Sequence, residues 1–330
     1  MKNTSVPKEI LSKINSSKYS LVMAHQNPDG DSLGSMLALG KILEQKGHVV
    51  DYLVPDFFPE AYKFLPNAEQ IKLPSDKSLK NKYDISFSLD CGSAKRLGDS
   101  IKFWDSSEIT VNIDHHISNE QFGNLNWIEA DAVSTGQVVF SLAKGLSVNI
   151  TPDLATLFYV TLLTDTGCFS NSNTTAEALS WGAELIGLGA NHLEVYKKAF
   201  LEKSFKTLKV FSHGLNNLTI LENGNIAVAY VDGKTMKSLS ATPEDTEDIA
   251  DYMKRLKDVK VCVFLREDNE KETKVSLRSN NDFDVSKVAI SMGGGGHKRA
   301  AGVNMKLPLD KAKEIILEKV VSELKNTVLS

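Results

Sequence analysis

Cysteine is scarce in this chain of 330 residues, which contains only three. Their spacing matches no zinc-binding pattern, and an odd number argues against a framework of disulfides. We therefore expect Cys91, Cys168 and Cys262 to be free thiols in a reducing cytoplasm. A long apolar run is also absent, because the longest stretch, near 154–163, is interrupted by threonine and is too short to span a bilayer.

An excess of positive charge is missing as well. Lys and Arg number 38 against 42 Asp and Glu, so the net charge is −4. Proteins that bind long nucleic acids need many cations for the phosphates, so we predict that any nucleic-acid ligand is short and held in a local pocket. The N-terminus is polar and lacks the apolar core of a signal peptide. We therefore expect a cytoplasmic protein without membrane attachment.

What the sequence does contain is an α/β pattern in two parts. Apolar strands near 19–24, 48–54, 84–89 and 109–113 are interspersed with helices, which predicts a mainly parallel sheet flanked by helices. A second set of strands and helices follows from about 218. The length also favours two domains. We predict a metal-binding catalytic domain at 1–190, a helical linker at 191–217 and a smaller α/β substrate-binding domain at 218–330.

Histidine and aspartate recur where the predicted strands end. The stretch HQNPDGDSLGS follows the first strand, LD ends the third, and DHH follows the fourth, while an aspartate closes a later helix. Ligands of open α/β sheets bind at the carboxyl ends of the strands, so we expect these side chains to meet at one edge. The set is His25, Asp29, Asp31, Asp90, Asp114, His115, His116 and Asp165.

Such a cluster would need cations. Two carboxylates about 5 Å apart repel by roughly 3 kcal/mol, so the group must bind metal or take up protons. Imidazole with carboxylate suits manganese, iron or zinc, and two such ions form a clamp for phosphoryl chemistry. Singly, each residue also has a structural explanation. PDGD is a common turn, Asp90 could be a helix N-cap, the two histidines of the DHH triplet could be core residues, and Asp165 could orient a ligand.

A run of four glycines in GGGGHKRAAG, residues 293–302, predicts a loop that forms a phosphate or nucleotide cradle. Glycine is costly to order but lets backbone N–H groups approach an anion closely. A flexible linker is the alternative, although the flanking segments look like a helix and a strand. Arg299 could instead be a surface residue. The predicted substrate-binding residues are Arg278, Gly294, Gly295, Gly296, His297 and Arg299.

Together these motifs resemble the DHH phosphoesterases. HQNPDGDSLGS, the LD pair at 89–90, the DHH triplet at 114–116 and LTDTGCF at 163–169 are similar to the four motifs of that family, in the same order. GGGGHKRAAG is similar to the signature of the C-terminal domain that often accompanies it. Within the family, a compact two-domain chain resembles the bacterial oligoribonuclease (nanoRNase) and 3′-phosphoadenosine 5′-phosphate (pAp) phosphatase group.

The resemblance implies a role for each residue of the cluster. The site would hold two metal ions, usually Mn²⁺. His25 and Asp29 would bind one ion, and Asp31, His115 and Asp165 would bind the other. Asp90 would bridge the two. Asp114 would orient the neighbouring histidine, and His116 would face the scissile phosphate. The second domain would bind the non-scissile end of the substrate across a cleft, and a homodimer is implied.

We therefore predict an enzyme that hydrolyses very short oligoribonucleotides to mononucleotides and dephosphorylates pAp by a two-metal mechanism. Hydrolysis of cyclic or linear dinucleotides, such as cyclic di-AMP, pApA or pGpG, would need the same chemistry and remains open. An inorganic pyrophosphatase is a third enzyme class, for which a nucleotide cradle is unnecessary. The alternative without catalysis is a nucleotide-binding sensor with a structural metal site.

Overall fold

The computed structural model describes residues 5–280 and 282–328. Its contacts divide the chain into two compact units, the first ending at Glu202 and the second beginning at Lys203. Each unit is built around its own six-stranded sheet within the described residues. The predicted two-domain α/β architecture is therefore confirmed. Within the same ranges, no helix is both long enough and apolar enough to cross a bilayer.

The first unit contains a sheet in which every neighbouring pair of strands is parallel. Its strands are β1 (Tyr19–Met23), β2 (Val49–Leu53), β3 (Ile71–Lys72), β4 (Ile85–Leu89), β5 (Ile109–Asp114) and β6 (Leu125–Ile128). Across the sheet they lie in the order β3, β2, β1, β4, β5, β6. The strands β1, β4 and β5 are therefore neighbours at the centre, and their carboxyl ends lie at one edge.

Helices cover both faces of this sheet. They are α1 (Lys8–Ser16), α2 (Gly30–Gln45), α3 (Ile101–Asp105), α4 (Thr135–Gly145), α5 (Pro152–Asp165), α6 (Ala176–Gly187) and α7 (His192–Tyr196). Val22 of β1 packs in the core formed with α2, α4 and α5. Its neighbours Leu21 and Met23 pack on the opposite face, against Trp104 of α3. This alternation follows the two-residue period of a strand that is buried on both faces.

The second unit has a mixed sheet. Its strands are β7 (Thr219–Leu221), β8 (Ile226–Val231), β9 (Val261–Asn269), β10 (Glu272–Ser279), β11 (Gly295–His297) and β12 (Ala300–Met305), in the order β11, β12, β10, β9, β8, β7. Only β8 and β9 pair in parallel among these described strands. The helices are α8 (Phe205–Asn216), α9 (Gly233–Ser238), α10 (Glu247–Met253), α11 (Val285–Ser291) and α12 (Leu309–Val328).

These helices pack on the two faces of the second sheet. Helices α11 and α12 share one core with β8, β9, β10 and β12, whereas α8 and α10 pack on the other face over β8 and β9. Along β10, partly covered and fully buried side chains alternate, and the partly covered ones lie on that second face. Lys274, Ser276 and Arg278 lie on this part of the face.

Residues 191–217, which we predicted to link the domains, divide between the two units. Helix α7 continues into a π-helical turn at Lys197–Leu201, and the buried Val195 belongs to the core of the first unit. Helix α8 begins after Ser204, which caps it, and its buried Val210 belongs to the second unit. Side chains from this region thus contribute to both cores.

Candidate functional site

The ends of three neighbouring strands bring the predicted site residues together. His25 follows β1 by two residues, Asp90 directly follows β4, and Asp114 is the last residue of β5. Adjacent strands in a sheet are about 4.8 Å apart, so groups at these positions fall within reach of one ligand. The physical reason for the convergence is the parallel pairing of β1 with β4 and of β4 with β5.

The converging side chains form three overlapping clusters. In each, one ligand atom per residue lies within 4.8 Å of the others; the clusters are His25 with Asp29 and Asp90, Asp31 with His115 and Asp165, and Asp90 with Asp114, His115 and His116. All eight residues proposed from the sequence as ligands or catalytic groups are therefore in one place. Asp165 lies with Asp31 and His115, and it reaches this position as the last residue of α5.

Asp90 lies between the two sets of ligands. Its Oδ2 is 3.5 Å from His25 Nε2, and its Oδ1 is 3.6 Å from His115 Nε2. The residue has a left-handed backbone, with φ of 56°, and its N–H donates to Ile113 O at 3.0 Å. The hydroxyl of Thr135 donates to Asp90 Oδ1 at 2.9 Å. One carboxylate oxygen is thus directed to each ligand set, as a bridging ligand requires.

The histidines His25 and His115 are both oriented by backbone carbonyls. Nδ1 of His25 lies 2.7 Å from Gln26 O, and Nδ1 of His115 lies 3.1 Å from Ala132 O. A carbonyl can only accept, so we assign the proton to Nδ1 in each ring, which leaves the Nε2 lone pair facing the cluster. Burial, followed by the positive charge of Arg96, lowers the pKa of His25. A neutral imidazole is the form that binds a metal ion.

Asp31 is held by the beginning of a helix. Its Oδ2 accepts from Thr135 N at 2.7 Å, and its Oδ1 accepts from Gly136 N at 3.0 Å and from the Ser35 hydroxyl at 3.1 Å. The first N–H groups of α4 have no partner within the helix and carry partial positive charge, so they suit a carboxylate. Asp29 also contacts the beginning of a helix. Its Oδ1 accepts from Ser32 N at 3.0 Å and so caps α2.

The carboxylates of this site are buried close to one another, which raises the pKa of three of them. Burial, and next the charge of a neighbouring aspartate, raise the pKa of Asp31 and of Asp165 to about 7. The same causes raise the pKa of Asp90 well above its usual range. Without cations the site must take up protons. The donor set, two neutral imidazoles and several carboxylates around a shared aspartate, therefore fits divalent metal ions chemically.

We expect the metal-free protein to lose stability as the pH rises from about 4 to about 7. Asp has a pKa near 4 in an unfolded chain. The folded protein, in which Asp31 and Asp165 titrate near 7, therefore binds more protons in this window than the unfolded chain. The free energy of unfolding should fall by up to about 1.4 kcal/mol per pH unit for each such carboxyl, and the effect should level off above about pH 7.

Urea unfolding of chelator-treated protein at pH 5, 6, 7 and 8 would measure this slope. Asp31→Asn should make it shallower, since the substituted side chain does not titrate. Added Mn²⁺ should stabilise the protein most at pH 8, where the carboxylates are ionised. A metal-free protein whose stability rose between pH 5 and 7 would contradict the expected burial of these charges.

Asp114 and His116 form a pair beside the candidate metal ligands. Asp114 Oδ1 lies 2.7 Å from His116 Nδ1, and Oδ2 accepts from Asn119 Nδ2 at 2.6 Å. Burial opposes ionisation of Asp114, but the hydrogen bonds from His116 and Asn119 outweigh it and lower its pKa. The hydrogen bond to Asp114 in turn raises the pKa of His116. The side chain of His116 is 43% exposed, so it is accessible from solvent.

The glycine run of the second unit corrects one expectation. We predicted a loop, but residues Gly295–His297 form the edge strand β11, with Gly296 opposite Ala301 of β12. A Cβ on Gly294 would lie 2.3 Å from Gly302 O, and one on Gly296, where φ is +140°, would lie 2.4 Å from Ala301 Cα. Only glycine permits this close approach. The outer edge of β11 has no neighbouring strand among the described residues, so its backbone groups face outward.

The other predicted substrate-binding residues lie near this strand. His297 is opposite Ala300, which is opposite Arg278 in β10. Residues paired in this way point to the same face, so the His297 and Arg278 positions are two strands, or about 10 Å, apart on one face. Arg299 is exposed in the turn between β11 and β12, and Gly295 is also exposed.

Arg278 has a protein partner in the structure. Its Nε and Nη2 donate to the Asp251 carboxylate at 3.1 and 3.0 Å, and its Nη1 donates to Leu277 O at 3.3 Å. These groups border a cavity of about 460 Å³ that Lys274 and Ser276 also line. Burial opposes ionisation of Asp251, but hydrogen bonds that include those from Arg278 lower its pKa. A phosphate would have to compete with Asp251 for this guanidinium.

Sequence reasoning overlooked three residues that contact the site. Thr135 orients Asp90, Asn119 holds Asp114, and the Arg96 guanidinium lies against His25. The position of Thr135 next to Ser134, an N-cap, gave a usable signal, since helix N-termini bind anions. Arg96 lies in a 3₁₀ segment, Ala94–Ser100, for which no periodic pattern exists.

Family models match both units of the chain. The model described as the DHH family, N-terminal domain, matches residues 20–162, and the model described as the DHHA1 domain matches residues 223–326. The bifunctional oligoribonuclease and PAP phosphatase NrnA of Thermus thermophilus is 32% identical over 319 residues, covering 96% of this chain and 93% of that protein. The protein of the same name from Bacillus subtilis is 23% identical, covering 92% and 94%.

Solved structures agree with this assignment. An exopolyphosphatase-related protein from Bacteroides fragilis superposes with a TM-score of 0.90 at 25% identity, covering 98% of this chain and 97% of that one. The exonuclease RecJ bound to manganese has a TM-score of 0.58 at 12% identity, covering 97% and 95%, and so shares the fold. From its family-model matches and its 32% identity to a full-length relative, this chain belongs to the DHH family, with a DHHA1 domain after the DHH domain.

Proposed function

We propose that the protein is a Mn²⁺-dependent phosphoesterase that hydrolyses very short oligoribonucleotides to mononucleotides and removes the 3′-phosphate of pAp. The observation that carries the proposal is the position of Asp90, whose two oxygens face two separate ligand sets. The substrate class is supported by similarity to the Thermus thermophilus protein named as an oligoribonuclease and PAP phosphatase, which extends over 96% of the chain.

The residues around Asp90 would hold two ions. His25 and Asp29 would ligate the first, while Asp31, His115 and Asp165 would ligate the second, as the clusters of ligand atoms suggest. Mixed imidazole and carboxylate ligands favour manganese over calcium and magnesium, which prefer oxygen ligands alone. When bound, the ions would lower the pKa of a water molecule and neutralise the phosphoryl oxygens.

His116 would act on the leaving group. Its Nδ1 is engaged by Asp114, so Nε2 is the ring nitrogen available to a substrate. The raised pKa of His116 favours the protonated ring, which can donate a proton to the departing oxygen. Asp114 stays ionised and fixes the ring orientation, because the side chain of Asn119 and the backbone N–H groups of His115 and His116 also donate to it.

The second unit would hold the non-scissile end of the substrate. The exposed backbone of β11 offers N–H groups to an anion, and His297 and Arg299 add donors beside it. Arg278 would contribute its planar fork after exchange of Asp251 for a phosphate. A few local donors of this kind suit a short substrate, which agrees with the net charge of −4.

An activity panel tests the proposal. The protein with Mn²⁺ is incubated with each of four substrates in separate reactions. They are 5′-labelled pApA, pAp, cyclic di-AMP and pyrophosphate, and only pApA carries the 5′ label. We expect AMP from the first two at rates well above those of the last two, and no reaction after chelation. Metal analysis should find two ions per chain. Faster hydrolysis of cyclic di-AMP or pyrophosphate than of pApA and pAp would contradict the proposed substrate class, and no turnover of any of them would leave a binding protein.

A further inference from the structure

Arg96 is anchored at the edge of the metal centre by its backbone. Its carbonyl accepts from Gln26 N at 2.8 Å, and its N–H donates to Ser93 O at 3.1 Å. Gly98, two residues later, has φ of +48° and lies so close to the Gln26 side chain that a Cβ would be 2.7 Å from it. The segment that carries Arg96 is thus fitted against the residue that follows His25, and the half-buried side chain is directed to that histidine.

The guanidinium of Arg96 has no acidic partner in the part of the chain that the structure describes. Its Nη2 lies 2.8 Å from Nδ1 and 3.2 Å from Nε2 of His25. Among the residues described, no carboxylate oxygen is within 4.0 Å of the guanidinium, although the aspartates of the metal centre are near by. Arginine presents five N–H donors and remains charged, and a partly buried one is normally paired with an anion.

A metal ion bound to His25 would leave that ring without an acceptor for Arg96. Nδ1 of His25 donates to Gln26 O at 2.7 Å, so it has no lone pair for Arg96. Nε2 has the ring's one lone pair, and it faces Asp90 Oδ2 at 3.5 Å. A metal ion on Nε2 would use that lone pair. With an ion on Nε2, the donors of the guanidinium would have no lone pair on this imidazole and would be free to bind another acceptor.

The charge of the site indicates what the released guanidinium binds. Asp114 is hydrogen bonded to His116, and the other four aspartates of the clusters would be balanced by two divalent ions. Arg96 then supplies a positive charge that the cluster itself does not use. The anion that enters a phosphoesterase site is a phosphoryl group, and the fork of a guanidinium can pair with two of its oxygens.

We propose that Arg96 is a substrate-binding residue that leaves His25 when the metal ion binds and then donates to the non-bridging oxygens of the phosphoryl group. This inference rests on the proposed phosphoesterase function. It adds to the site a cation on the side of His25 and Asp29, whereas His116 lies in the cluster with Asp114 and His115. Arg96 would thereby neutralise and orient the phosphate, while His116 would donate a proton to the departing oxygen.

Two substitutions and two titrations test the role of Arg96. Arg96→Met removes the charge but keeps an unbranched stem, and Arg96→Lys keeps the charge but loses the fork. Calorimetry would measure Mn²⁺ binding to each apo protein and AMP binding to each Mn²⁺-loaded protein. The matched control is Lys95→Met, which removes the same charge from the neighbouring, exposed position.

The two titrations should respond in opposite directions. Arg96→Met should bind Mn²⁺ at least as tightly as wild type, since a competitor for His25 is gone, but should bind AMP about 10- to 100-fold more weakly. Arg96→Lys should bind AMP with an intermediate loss, and Lys95→Met should match wild type. KM for pApA should rise in parallel with the loss of AMP affinity.

Other results would overturn the inference. If Mn²⁺ binding weakened about tenfold in Arg96→Met while the loaded protein bound AMP normally, Arg96 would only support His25. AMP affinities within twofold of wild type in both variants would likewise refute the phosphate contact. These failures are distinct from failure of the proposed function. If the wild-type protein bound AMP but showed no turnover, weaker AMP binding by Arg96→Met would still support the contact.

Discussion

Replacing Asp90 with asparagine is expected to lower kcat/KM for pApA at least about 10³-fold. The side chain keeps its size, but it loses the charge that faces His25 on one side and His115 on the other. A bridging amide would hold neither ion well, and metal activation of a water molecule contributes several kcal/mol to phosphoryl transfer. Each 1.36 kcal/mol corresponds to about tenfold in rate, which gives the expected magnitude.

Steady-state kinetics over a range of Mn²⁺ concentrations would measure the effect of Asp90→Asn. Metal analysis should find fewer than two ions per chain. Asp105→Asn is a matched control, because Asp105 is an exposed aspartate at the end of α3, and it should retain wild-type activity. Removing Asp90 also relieves repulsion, so the metal-free variant should be more stable than wild type at pH 8. Wild-type turnover in Asp90→Asn would disprove the two-ion arrangement.

Asp114→Asn should lower kcat about 10²- to 10⁴-fold with little change in Mn²⁺ affinity. Asp114 is fully buried, and it accepts hydrogen bonds from His116 Nδ1 and Asn119 Nδ2 through different oxygens. An asparagine would have to direct its NH₂ at one of these donors. His116 would lose the anion that raises its pKa and the contact that fixes its ring, and general acid catalysis is typically worth this factor.

A pH profile separates this role from a general loss of structure. The alkaline limb of kcat, where His116 loses its proton, should move to lower pH in Asp114→Asn. Asn119→Ala should move the limb much less, because the Asn119 side chain donates to Asp114, and its contact with His116 is a hydrogen bond from backbone N–H to backbone carbonyl that the substitution leaves in place. Mn²⁺ affinity measured by calorimetry should stay within about tenfold of wild type. A variant that lost Mn²⁺ and kept its pH profile would make Asp114 a determinant of metal binding.

The convergence of His25, Asp90 and Asp114 could be predicted from the sequence because these residues lie at the ends of strands with strong apolar patterns. β4 is buried throughout, so its run of apolar and small side chains is continuous and its end at Asp90 is clear. The edge strands β3 and β6 were missed, since they span two and four residues and are partly exposed. Helix α2 begins at Gly30, inside the PDGD stretch that is also typical of a turn, because Asp29 is its N-cap.

Contacts made through tertiary structure could not be predicted in the same way. The hydroxyl of Thr135 meets Asp90 across 45 positions of sequence, and Arg96 meets His25 across 71. Neither spacing has a period that a sequence pattern could reveal. The pairing of Arg278 with Asp251 depends on how α10 packs against β10. The strand β11 was predicted as a loop because glycine has low strand propensity, whereas the close approach to β12 favours it.

The parallel order of β1, β4 and β5 has a consequence for how this family can vary in length. All the candidate metal ligands on these strands lie at or after their carboxyl ends, so the connections at the opposite ends, such as 46–48 and 106–108, are remote from the candidate site. Natural insertions should accumulate in those connections without displacing a ligand. The turns that leave the carboxyl ends should tolerate hardly any change in length.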